Sequence, residues 1–111
     1  MSKLLLFAMV AMLLGITTMS AAVYKGQRVF VRKCVVCHHE GQTFLTQKTI
    51  SQWEALMKDG GKPLAKLHTK DKNATESWEY FGSEKYSKKA KHLKQFLMEY
   101  AKDSGKVPAC N

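Results

Sequence analysis

Several things this chain lacks narrow its chemistry before any motif is read. Its longest apolar run, Leu4 to Ile16, falls short of the roughly 20 residues that a spanning helix needs. No later stretch is long and apolar enough either. Only three cysteines are present, with no second Cys pair and no His-x3–5-His to complete a structural zinc site. No βαβ pattern is visible around the one close cysteine pair, which weakens a dithiol-redox reading. Acidic residues are scarce, nine Asp and Glu against 18 Lys and Arg, for a formal net charge of +9. Nothing in the chain supplies the acid–base apparatus of a hydrolase.

What is present at the start is a leader. Lys3, the apolar run and the small residues Ser20 and Ala22 describe a secretory signal peptide over residues 1–22, with cleavage before Val23. An uncleaved anchor is the alternative. Residues 23–111 then form one small domain, of a size that benefits from a covalent staple. Outside the cytoplasm, the basic balance points to acidic proteins or anionic lipid rather than nucleic acid; solubility alone also accounts for it.

Cys34-Val35-Val36-Cys37-His38 carries the chemistry. Two thiols one helical turn apart can each add to one vinyl group on a haem edge, and the next residue is then held under the iron. The motif reads as a c-type haem attachment site, with one covalent haem per chain and His38 as the proximal ligand. Thiol redox chemistry or another metal is the weaker alternative. His39 reads as an exposed neighbour.

Along the chain, Val23, Val29, Phe30 and Val36 recur at roughly helical spacing and predict an N-terminal helix ending in the motif. A polar loop, 39–48, turns at Gly41. Thr49-x-x-Gln52 and Ser51-x-x-Glu54 both have capping-box spacing for a helix that carries Ile50, Trp53 and Met57 inward and stops at Gly60-Gly61. A short turn over 63–69 puts Leu64, Leu67 and His68 on one side. Asn73 is placed to cap a short helix with Ala74, Trp78 and Phe81 inward. Ser83 opens the last helix, whose apolar stripe is Tyr86, Ala90, Leu93, Leu97 and Tyr100, with Gly105 and Pro108 where a stop belongs. Lys85, Lys88, Lys89, Lys91 and Lys94 crowd its first half and read either as a solvated face or as a docking patch for an acidic partner.

Gly26-x-x-x-Phe30-x-x-x-Cys34-x-x-Cys37-His38 is similar to the opening of class I cytochromes c, small all-α electron carriers. The resemblance implies an all-α fold in which N- and C-terminal helices pack across each other and short helices surround one haem. It also implies that Gly26 and Phe30 meet the last helix, with Leu97 and Tyr100 as the aliphatic and aromatic partners. The family's distal methionine is missing, since no methionine lies between Lys58 and Lys91. The corresponding segment, 60–82, holds one imidazole, His68, which becomes the expected sixth ligand. Met57 is the alternative, with an open site or a lysine after it; His92 and Met98 belong to the last helix.

The resulting expectation is a periplasmic, non-enzymatic carrier of single electrons in a respiratory chain. An electron-transfer subunit of a larger oxidoreductase, or a haem protein binding a small gas or peroxide, are the other readings. Cys110, left over after the haem takes two thiols, is expected to form an intermolecular disulfide.

Overall fold

Ser20 opens the first helix of the computed structural model, which describes residues 20–107. Its hydroxyl accepts from the Val23 amide at 3.2 Å, so α1 (Ala21–Val29) begins with one orphan donor satisfied. The expected cleavage point lies inside this first turn. The rest of the expected leader, and Cys110 at the other end, lie outside the described residues.

The helix does not run regularly into the cysteine motif. It widens into a π-helical turn over Phe30–Cys34, where the Val35 amide bonds back to the Phe30 carbonyl, and then resumes as α2 (Val35–His38). One extra residue in a turn rotates everything downstream by about 100° relative to a straight α-helix. That rotation corrects one expectation: Val36 leaves the apolar stripe and is 66% exposed, whereas Val23 and Phe30, upstream of the widening, are buried.

His39, exposed and at φ 52°, ends α2. The expected polar loop after it contains a short helix, α3 (Gly41–Leu45). Its apolar pair is the cause. Leu45 is completely buried, and the Phe44 ring packs against Trp53 and Phe30.

Thr49 caps α4 (Ile50–Thr69) through a capping box with Gln52, and Asp103 near the other end of the chain accepts from the Ile50 amide at 2.8 Å. As the glycine pair predicts, the helical path breaks over Lys58–Gly61, where Asp59, Gly60 and Gly61 all take positive φ. Pro63 then stands in the first turn of the second half, where its missing N–H costs nothing. The corner is clasped by the last helix. Tyr86 donates its hydroxyl to the Gly61 carbonyl at 2.5 Å, and a Cβ on Gly61 would collide with that hydroxyl. We expect Tyr86→Phe to cost about 1–3 kcal/mol in urea denaturation, the penalty for a buried carbonyl left without a donor.

A 3₁₀ turn, Lys72–Ala74, leads into α5 (Thr75–Phe81). Asn73 caps neither: the Asp71 carboxylate caps the 3₁₀ turn, accepting from the Asn73 amide at 2.9 Å, and α5 follows from Ala74 with no side-chain cap. Two inward assignments are corrected here. Leu67 is 59% exposed, and Trp78 is 38% exposed. Trp78 lies on the outside because its indole N–H closes over the end of α4, donating to the His68 carbonyl at 2.7 Å and to the Asp71 carbonyl at 3.2 Å. Both carbonyls also accept from backbone amides, His68 from Asp71 at 3.1 Å and Asp71 from Ala74 at 3.0 Å, so the indole adds a second donor to each and ties α5 to the end of α4.

Ser83 caps α6 (Glu84–Glu99) as expected. Tyr86, Ala90, Leu93 and Leu97 are buried, joined by Phe96 and Ala101, while Tyr100 is half-buried. α6 packs chiefly against α1 and α4. Gly26 is the closest approach: a Cβ there would sit on the His92 carbonyl and only 2.7 Å from the Phe96 Cβ. Phe96, whose ring centroid is 5.3 Å from that of Phe30, occupies the place assigned to Leu97 and Tyr100. Lying three residues after Leu93, it widens the buried stripe and frees Leu97 to face elsewhere.

The described residues are thus all-helical, with no strand among them. None of their helices is long and apolar enough to cross a membrane.

Candidate functional site

The π-helical turn brings Cys34 to the wall of a cleft of about 300 Å³, and α2 adds Cys37 and His38 to the same rim. The lining is mainly apolar, with Lys33, Asp71 and Glu76 as its charged members. Phe30, Phe44, Trp53, Leu64, Phe81 and Leu97 come from five different helical segments. A cavity of this kind, mostly hydrophobic with a few converging polar groups, is the usual form of a small-molecule or cofactor site.

Both cysteines are free thiols. Burial, and secondarily Cys37, pushes the Cys34 thiol up to about 12. It is therefore protonated at neutral pH, opposite to the depressed thiol on which a nucleophilic dithiol depends. His38 stacks on Phe44 with ring centroids 4.0 Å apart. Partial burial, with His68 and His39 nearby, holds His38 below the usual histidine range and favours the neutral imidazole.

His68 lines the opposite side of the same cleft. Its ring centroid is 6.0 Å from that of His38, and the two planes stand at 87°. Two axial imidazoles bound to one metal at about 2 Å each place their ring centroids roughly 6 Å apart. The ring is held from three directions. Phe81 stacks on it at 4.1 Å, the Trp78 indole fixes its backbone carbonyl, and its Nδ1 lies 2.8 Å from the Leu64 carbonyl. A carbonyl can only accept, so Nδ1 is the donor, and in the neutral ring this leaves the lone pair on Nε2. A ligand imidazole needs that tautomer, fixed by that kind of outer hydrogen bond.

Met57 is placed differently. It is 2% exposed, packed beneath the glycine corner with its sulfur 4.0 Å from the Tyr86 hydroxyl, and it does not line the cleft. His92 lies under Gly26 at the α1–α6 contact and Met98 packs against the core, so neither lines the cleft. Among the described residues no group of three or more His, Cys, Asp and Glu side chains converges as a metal cage.

Residue patterns brought the two cysteines, His38 and His68 to notice but not the packing that holds the histidines. Phe44 is the clearest omission, and its signal was an apolar pair, Phe44-Leu45, inside an otherwise polar segment. Comparison of the chain with protein-family models, curated proteins and solved structures yields no match.

Proposed function

We propose that this chain is a monohaem c-type cytochrome that carries single electrons between redox partners after export to the periplasm. Cys34 and Cys37 would hold the haem through thioethers, and His38 and His68 would ligate its iron. The observation that carries the reading is the fit of four side chains to one cleft. Both thiols, His38 and a tautomer-locked His68 line it, with the two rings at the spacing of a shared metal.

The haem supplies one-electron cycling of its iron. The chain attaches, orients and shields. Cys34 and Cys37, both free thiols at the rim of the cleft, would hold the haem covalently through their sulfurs. Phe44 and Phe81 limit rotation of the two imidazoles, which keeps reorganisation small. The buried aromatic walls exclude water and lower the local dielectric, one of the levers on potential.

Against a gas- or peroxide-binding role stands the second imidazole, which fills the position such chemistry requires open. A thiol-redox role would leave His38 and His68, which converge on the same cleft, without a function. The test is acid–acetone extraction of protein produced with an export-linked haem maturation system. Haem is expected to stay on the polypeptide in the wild type and to be released when both Cys34 and Cys37 are alanine. Quantitative release from the wild type, or a purified chain without haem, would refute the proposal.

A further inference from the structure

A second concavity, of about 510 Å³, lies between α1 and α6 and adjoins the first cleft at Lys33, which lines both. From α1 and the turn that follows it come Lys25, Arg28, Arg32 and Lys33. From the first half of α6 come Lys85, Lys88 and Lys89. Val29 and Tyr80 complete the lining, and no carboxylate belongs to it. Among the described residues only Lys88 of these cations makes an ion pair, an exposed one with Glu84 at 3.6 Å. Lys33 lies 5.1 Å above the Tyr80 ring.

So many like charges facing one depression repel each other, an arrangement that costs stability unless an anion occupies it. Its shape and its cations limit the choice of anion. A depression of this volume suits a small molecule, whereas a stable protein interface needs about 800 Å² on each partner. One carboxylate would neutralise little of the charge. Two or three linked phosphate groups bring several negative charges in a small volume, since each carries about −1.5 to −2 when terminal. Arg28 and Arg32, one turn apart on one helix face, offer planar forks that match phosphate oxygens in pairs, and the lysines opposite act as point charges. Tyr80, whose phenol burial pushes up to about 12, remains a neutral donor beside them.

We infer that the groove between α1 and α6 is a binding site for a soluble ligand bearing two or more linked phosphate groups. The inference is independent of the haem assignment, because the groove needs neither cysteine nor histidine. It also separates the lysines of α6 into two sets: Lys85, Lys88 and Lys89 line the site, while Lys91 and Lys94 do not.

Isothermal titration of the full chain with inorganic tripolyphosphate at about 0.15 M salt tests it, with citrate as a carboxylate control of comparable charge. The expected result is saturable one-to-one binding that weakens at least tenfold in Arg28→Gln/Arg32→Gln and by no more than about threefold in Lys91→Gln/Lys94→Gln. Both variants remove two positive charges from exposed or half-exposed helix positions, so net charge is matched. Equal losses in the two variants would reduce the effect to diffuse attraction and overturn the inference. So would citrate binding as tightly as tripolyphosphate, or the absence of saturation. Vesicles of anionic phospholipid provide the last arm: saturation by vesicles with none by tripolyphosphate would mean a lipid surface is the ligand, and the soluble-ligand inference fails.

Discussion

Replacing His68 with alanine is expected to give a ferrous protein that binds carbon monoxide readily, while the wild type resists it. The visible spectrum should lose its six-coordinate form, and the midpoint potential should move by on the order of 100 mV, since axial ligands tune haem potentials across about 0.8 V. Met57→Ala is the matching comparison. Met57 is buried against Tyr86 and Gly61, away from the cleft, so its truncation should cost about 2–5 kcal/mol of stability and leave the axial spectrum intact. A His68→Ala protein with unchanged spectrum and potential, alongside a Met57→Ala protein in which both change, would transfer the ligand to the methionine.

The second large effect concerns Gly26, where two principles predict opposite signs. In a helix interior, glycine to alanine is favourable by about 1 kcal/mol on propensity alone. The added Cβ, however, would coincide with the His92 backbone carbonyl and press on the Phe96 Cβ at 2.7 Å. A carbonyl within a helix cannot swing aside as a flexible side chain can. Overpacking a tight contact costs about 1–3 kcal/mol even where neighbours can adjust, and here α1 and α6 must separate. We expect Gly26→Ala to destabilise the fold by about 3 kcal/mol or more in chemical denaturation. A gain in stability would show that the helices approach less closely than described.

Much of this was readable along the chain because it depends on neighbours in sequence. Thr49 with Gln52 and Ser83 before Glu84 are caps whose donors and acceptors lie within one turn. The Gly60-Gly61 break follows from backbone freedom at those two positions, and the α6 stripe from its periodicity. Cys34, Cys37 and His38 were legible as candidates for the same reason, since all three lie within about one turn of one another, and they line one cleft. His68 was named by elimination, as the only imidazole in its segment.

Other features depend on partners distant in sequence. No local pattern announces that the helix widens at Phe30–Cys34, yet that turn swings Val36 into solvent and Cys34 to the cleft wall. Trp78 reads as apolar on a helical wheel; it lies outside with its indole N–H donating to the His68 and Asp71 carbonyls, partners that no helical spacing brings to notice. Phe96 meets Gly26 and Phe30 because the rotation of α6 against α1 is fixed by their contact, not by either sequence alone.

The sequence by itself determined the helical class, the caps and breaks of the individual helices, and the motif of two thiols and an imidazole. Each of these is set by interactions within about one turn, where covalent spacing leaves little freedom. Only the tertiary structure decided that His68 faces His38 across one cleft with its Nδ1 proton committed to Leu64, and that cations from α1 and α6 share one groove. Those arrangements bring together residues from separate helices, whose relative placement comes from close packing of side chains in the core and not from any spacing along the chain.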